Sequence, residues 1–393
     1  MPTILHLPVE LCIMIASDES LSRHDLAAMR LTRKVFTVPA ATSLFRRVVI
    51  SRLKGDQDAL EHIAASEHLA GYVHELVWQE LDIDTQTVQG ENLVSDWNET
   101  ITRVKDASSS KDLFWFPRMM YRDDREKPDT LSGSWFIEIL SKFPKLTAFV
   151  SCPMPQKRTF TYEGYELQAN LYQTRVFNNT QTGNTGFYSY MLEAIMQTQP
   201  KIRSLTLVDE NRTLGYQLQS EDVPAFKSLT TIELYSMGLE HEALDLIVQC
   251  LKAATGLKRL ALSFERDNSV VPSLLVTTLS QSCDWPSLTY LEITDASFPQ
   301  NHMVKFLEKC ISLRDLVLRE CSVSVDDIFA LRTATIRQLT SIVITGGEQP
   351  FLESSLLNFV NKTSSSLISL DGESVESLLD LDGDGHPLDY ILD

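Results

Sequence analysis

The chain of 393 residues holds 35 Lys and Arg against 53 Asp and Glu, a net charge of −18, and its pI is near 4.9. Hydrophobic residues make up 43%, too large a share for a disordered regulator, and so acidic a chain repels phosphate backbones and anionic lipid. Neither nucleic acid nor membrane is expected as a partner, and there is no apolar run of the roughly 18 residues that a bilayer span needs.

At the N-terminus, Met1 to Ala16 is apolar but broken by Glu10 and preceded by no basic residue, so it does not read as an export signal. The six cysteines (Cys12, Cys152, Cys250, Cys283, Cys310, Cys321) are scattered without a C-x-x-C pair. That pattern is expected of reduced core thiols in a cytoplasmic or nuclear protein. In such a protein the sequons at Asn98, Asn178, Asn211 and Asn361 carry no weight.

Residues 1–50 hold six basic and four acidic side chains, +2, which leaves −20 for the remainder. Pro8 suits a first helical turn, with Val9, Leu11, Cys12 and Ile15 as its apolar positions. Ser22 and Asp25 form a capping-box variant that starts a second helix through Leu26, Met29 and Phe36, which Pro39 is expected to break. A third short helix through Leu44 and Phe45 then runs into Val48-Val49-Ile50. Three helices in fifty residues bury too little to stand alone, so they are expected to dock on something.

Beyond residue 50 a repeat dominates. The pattern L-x-x-L-x-L occurs as Leu257-Lys-Arg-Leu260-Ala-Leu262 and Leu313-Arg-Asp-Leu316-Val-Leu318. Looser copies begin at Leu146, Ile202, Leu229, Leu288, Leu339 and Leu367, and another at Val73 (Val73, Leu76, Trp78). From Ile202 onward the steps between starts are 27, 28, 31, 25, 26 and 28 residues. Before the anchors lie helical faces: Phe136, Ile139, Leu140, Phe143; Leu244, Ile247, Val248, Leu251; Met303, Phe306, Leu307, Cys310. Each unit therefore reads as helix, turn and strand, and must stack on its neighbours to bury its apolar side.

The strand positions between the leucines point away from the helices. They include Glu233, Tyr235, Arg259, Tyr290, Glu292, Asp315 and Arg319, the residue types that dominate interface hot spots, and these seven are the candidate substrate-binding residues. Two stretches break the period: irregular inserts at about 79–130 and 151–190, the second rich in aromatics (Tyr162, Tyr165, Tyr172, Phe177, Phe187, Tyr188, Tyr190). The expected domains are 1–50, a helical domain; 51–370, the repeats with their inserts; and 371–393, an acidic tail. From Thr363 onward there are eight acids and no Lys or Arg. Asp380, Asp382 and Asp384 with Gly385 imitate the first half of an EF-hand loop, but Ile391 stands where its bidentate Glu belongs, so a solvated tail is the better reading. No Walker loop, G-x-S-x-G, H-E-x-x-H or dinucleotide turn is present, and Gly346-Gly347 lacks the pattern of a phosphate cradle. No catalytic, cofactor-binding or metal residues are assigned.

The repeat resembles leucine-rich repeats in their longer, helix-bearing form, clearly over about 200–370 and loosely over 57–150. Those repeats close on an Asn or Cys. Here only Cys321 fills that place, against Glu210, Met237, Glu265, Ala296 and Gly347, so an irregular array is implied. Leu7-Pro8-Val9-Glu10-Leu11, Ile15, the run Asp25 to Phe36 and Leu44-Phe45-Arg46 resemble the F-box that heads many fungal leucine-rich-repeat proteins. The Ser17–His24 link is longer than usual, and Phe36 stands where many F-boxes have Trp. The resemblance implies an α/β chain, with a three-helix F-box followed by an irregular solenoid whose parallel strands line a concave face. It further implies a non-catalytic substrate receptor of an SCF-type ubiquitin ligase. The F-box would dock on a Skp-type adaptor, and through it a cullin, by Leu7, Pro8, Leu11, Ile15, Leu26 and Met29, some of which must instead pack its own core. The repeats would hold an unidentified protein substrate; a repeat scaffold acting outside any ligase is the alternative.

Overall fold

The computed structural model describes residues 7–18, 20–32, 34–51, 54–80, 133–153, 161–162, 165–166, 187–198, 201–208, 218–237, 241–264, 270–298, 302–323, 325–333, 339–346 and 353–363. The expected EF-hand-like segment at Asp380–Asp384, the repeat start at Leu367, most of both inserts and the acidic tail lie outside these. The chain folds as two compact units, Met1–Ile202 and Arg203–Asp393.

The first unit opens with three helices: α1 (Val9–Ala16), α2 (Arg23–Thr32) and α3 (Lys34–Arg46). Both α1 and α2 pack on α3. Pro8 stands at the N-cap of α1. The expected box starts α2: the Ser22 amide donates to Asp25 Oδ2 at 2.9 Å, and the Asp25 amide donates to Ser22 Oγ at 3.2 Å. Pro39 does not break a helix, contrary to the sequence reading; it sits inside α3, and Phe36 belongs to that helix rather than to α2. An interior proline costs a helix about 3 kcal/mol. Here Phe36, Pro39, Ala40 and Ala41 are all buried together, and that packing outweighs the lost backbone bond.

The helices run directly into β1 (Arg47–Ile50), which pairs in parallel with β2 (Glu75–Glu80), and β2 pairs in parallel with β3 (Ala148–Pro153). Residues 1–50 and the first strands thus share one unit, so a boundary at residue 50 falls within it. Between the strands lie α4 (Lys54–Ala65), α5 (Glu67–Ala70) and α6 (Gly133–Ser141). The expected inserts begin later and hold more structure than their polar sequences suggest. β2 reaches Glu80 and β3 reaches Pro153, β4 (Thr161–Tyr162) pairs antiparallel with β5 (Tyr165–Glu166), and α7 (Phe187–Thr198) packs on α6.

The second unit is a run of six parallel strands in chain order: β6 (Ser204–Val208), β7 (Thr231–Met237), β8 (Arg259–Phe264), β9 (Tyr290–Thr294), β10 (Asp315–Arg319) and β11 (Ser341–Ile344). A 3-10 helix, Ser220–Ser228 with Pro224 inside it, precedes β7. The later connections are α8 (Leu244–Ala253), α9 (Val270–Ser282), α10 (His302–Lys309) and α11 (Val325–Thr333), with α12 (Glu353–Val360) after β11. Every strand of this unit begins two residues after one of the sequence anchors. Ile202, Leu205, Leu207 and their counterparts up to Leu339, Ile342 and Ile344 are all buried, as are the expected faces of α6, α8 and α10. At about 1.5–3 kcal/mol for each apolar side chain removed from water, these anchors are the main stabilising term.

The connections after the strands do not rely on an asparagine ladder. Asp295, Glu320 and Gly346 occupy the same place two residues past the last buried anchor of β9, β10 and β11, and all three have left-handed backbone, φ 57, 49 and 81°. Consecutive turns then hydrogen-bond to one another: the Asp295 amide to the Arg319 carbonyl at 3.0 Å and the Cys321 amide to the Thr345 carbonyl at 3.3 Å. Cys321 does fill its expected role, its thiol lying 3.4 Å from the Ile293 carbonyl and 3.3 Å from that of Arg319. Met237 and Ala296, at the same place in other units, are buried apolar fillers.

Candidate functional site: the open face of the second unit

Strand register brings the side chains that face away from the helices into rows. One row is Ser204, Thr231, Arg259, Tyr290, Asp315 and Ser341; the next is Thr206, Glu233, Ala261, Glu292, Val317 and Val343. Arg259 and Tyr290 are therefore direct neighbours, and Glu233 and Glu292 flank Ala261. The small, fully buried Ala261 leaves room for long side chains on both sides to converge.

The polar groups satisfy one another. Arg259 Nε donates to Glu233 Oε1 at 2.6 Å, and Thr206 donates to Glu233 Oε2 at 3.0 Å. The Arg259 guanidinium lies over the Tyr290 ring, 3.6 Å from its centre, a cation–π contact. Tyr290 donates its hydroxyl proton to Glu292 Oε2 at 2.7 Å, and Arg319 approaches Glu292 Oε1 at 3.4 Å. Burial first, and then the hydrogen bond to the Glu292 carboxylate, push the Tyr290 phenol up to about 12. Burial also raises Tyr235, helped by the charges of Glu233 and Glu292 and opposed by Arg259. For Arg259, burial works against the charged form, but the hydrogen bond and charge of Glu233 outweigh it, so its pKa rises.

Of the seven residues expected on this face, Glu233, Tyr235, Arg259, Tyr290, Glu292 and Arg319 meet in one network. Asp315 shares the face but bonds instead to the Thr340 hydroxyl at 2.8 Å. Tyr235 lies in a β-bulge: β7 has one residue more than β8 between the pairs Leu234–Leu262 and Met237–Phe264. Such a bulge re-aims the side chain beside it. Thr206 belongs to the network too and had no signal beyond its strand position.

In the first unit, α1 has a second surface of a different kind. Cys12 and Ala16 turn inward, while Val9, Leu11, Ile13, Met14 and Ile15 are exposed, from 37% for Ile15 to 68% for Met14. Of the six residues expected to meet an adaptor, Pro8, Leu11 and Ile15 are exposed and Leu7 and Met29 are half-buried. Leu26, only 7% exposed, packs inside the helices, and so falls among those of the six expected to pack the domain's own core. Ile13 and Met14 were not among those six, yet the helix carries a single polar residue, Glu10, in eight, and that was visible in its sequence.

Among the described residues no helix is long and apolar enough to cross a membrane, and no group of three or more His, Cys, Asp and Glu is arranged to hold a metal ion. None of the six cysteines forms a disulfide. Comparison with protein-family models and with curated proteins finds no match to this chain.

Proposed function

We propose that this chain is a non-catalytic substrate receptor of an SCF-type ubiquitin ligase. The three N-terminal helices act as an F-box on a Skp-type adaptor, and the strands of the second unit, as a leucine-rich-repeat solenoid, hold a protein substrate. The observation that carries the reading is the apolar surface of α1. A helix that only capped the end of a repeat stack would turn its large apolar residues inward, whereas Val9, Leu11, Ile13, Met14 and Ile15 face out. Exposed apolar side chains clustered on one short helix mark a docking site. The helix–strand repeat and the Tyr- and Arg-containing network support the substrate-holding half, since such side chains anchor interfaces. The contribution to ubiquitin transfer is proximity: holding acceptor and donor on one assembly makes their encounter effectively intramolecular. A cytoplasmic or nuclear location follows from that role.

The test is co-expression with a fungal Skp-type adaptor followed by size exclusion, for the full chain and for a Leu11→Asp/Ile15→Asp variant. Co-elution of the native chain, lost in the variant without a change in melting temperature, is expected. A folded native chain that does not co-elute overturns the adaptor role and leaves a repeat scaffold outside any ligase.

A further inference from the structure

One residue before the first open-face row of the second unit runs another row: Arg203, Thr230, Lys258, Thr289, Arg314 and Thr340. Cations and threonines alternate strictly along six consecutive strands. The backbone ladder is continuous there, with the Thr230 amide on the Arg203 carbonyl (2.8 Å), Lys258 on Thr230 (2.8 Å), Thr289 on Lys258 (2.8 Å), Arg314 on Thr289 (2.9 Å) and Thr340 on Arg314 (2.7 Å). The Thr230 and Thr289 hydroxyls donate back to the carbonyl of the preceding cationic residue, at 3.2 and 3.0 Å, while that of Thr340 shares its proton between the Arg314 carbonyl at 3.2 Å and the Asp315 carboxylate at 2.8 Å. The hydroxyls are thereby committed and fix the ladder, and the cations are what the row presents. All three are exposed. Arg203 spends one N–H on the Ser228 carbonyl at 3.1 Å. The carboxylate of Asp315, next to Arg314, is engaged by the Thr340 hydroxyl.

We propose that this row binds an acidic peptide segment of a partner protein in the polyproline II conformation, with Asp or Glu at every third residue. Neighbouring strands are spaced by about 4.8 Å, so cations on alternate strands stand about 9.6 Å apart. A β-strand matches this poorly, because residues three apart point to opposite sides. A polyproline II helix turns once in three residues and advances about 9.3 Å, so every third side chain returns to the same side at the pitch of the cations. Such a segment also loses little conformational freedom on binding. In a chain of net charge −18, a local row of one sign draws an oppositely charged partner to this edge. The inference deepens the substrate-holding half of the proposal above by naming the chemistry recognised. Adaptor co-elution does not depend on it, and the peptide experiment needs no adaptor, so either can fail alone.

The test uses fluorescence anisotropy on the purified full chain with two labelled peptides of about nine residues, the length of three polyproline II turns. One has Glu at every third position with prolines between, and the other has the same composition with its glutamates contiguous. The spaced peptide is expected to bind about tenfold more tightly, and a Lys258→Gln/Arg314→Gln variant with an unchanged melting temperature to lose about tenfold of that affinity. Equal binding of the two peptides, or no binding, overturns the proposal. So does a variant that melts earlier yet binds as before, since the cations would then serve stability and not the peptide. If the double variant does not fold, the peptide preference of the native chain decides.

Discussion

The three N-terminal helices and the strand repeats treat their apolar residues in opposite ways. In the second unit every anchor of the repeat among the described residues is buried, and the open face is polar, with its charges paired to one another. In α1 most of the large apolar side chains are exposed, and the charge on residues 1–50 is the reverse of that on the remainder. Leucines in one region hold the fold together; leucines and isoleucines in the other are held out from it. The same residue type therefore predicts opposite consequences of mutation in the two regions.

The largest expected effect tests that contrast directly. Leu260, fully buried between its strand neighbours, should lose about 4 kcal/mol on replacement by alanine, through lost burial and the cavity left behind. Leu11→Ala on α1 should lose no more than about 0.5 kcal/mol, as exposed substitutions do. Urea denaturation of both variants checks the pair. Comparable losses would mean that α1 is packed as tightly as the repeats, and its surface would no longer mark a partner.

A second substitution tests the turns that replace the asparagine ladder. Gly346 has φ +81°, and a Cβ there would lie 2.3 Å from the Glu320 Cα, with the Glu320 backbone nitrogen and carbonyl carbon at 3.0 Å. Neither the strained backbone nor the facing backbone can yield cheaply. Gly346→Ala is expected to cost about 3 kcal/mol, read as a shift in the urea midpoint. Asp295 and Glu320 already accept the same backbone without glycine, so Asp295→Gly should change stability little. A loss at Asp295 as large as that at Gly346 would show that the side chains, and not the stacked backbone, hold these turns.

Much of this contrast was legible in the residues themselves. The interval of L-x-x-L-x-L marks each strand start, and the i, i+3, i+4, i+7 sets mark the buried helix faces, because both follow from the period of the element and the side that must be buried. The Ser22–Asp25 box was equally readable, being local. Pro39 misled because tertiary burial of its neighbours outweighs a local rule. The left-handed turns at Asp295 and Glu320 carry no glycine to announce them. Leu26 and Leu11 look alike in a sequence of amphipathic helices, and only the packing of α1 and α2 on α3 sends one inward and leaves the other out. On the open face the seven residues could be placed on one side by alternation alone. Their pairing depends on the register between strands and on the extra residue in β7, neither of which a single strand records.

The smallest expected effect asks whether the polar network is as closed as its geometry indicates. The Tyr290 phenol rises from 10.0 to about 12, chiefly through burial and then through its hydrogen bond to Glu292. A raised acid pKa means that the folded state favours the neutral form. The stabilising contribution is complete below pH 10 and is lost as the pH climbs from about 10 towards 12. Ultraviolet titration of tyrosinate should thus show a late-ionising tyrosine that Tyr290→Phe removes. Glu292→Gln should bring that step to lower pH, since it takes away the charge that holds the proton. Were Tyr290 to ionise with the free phenols, the contact with Glu292 would not persist in solution. The Tyr290 and Glu292 side chains would then be open to a partner, and the open face would share the outward-facing character of α1.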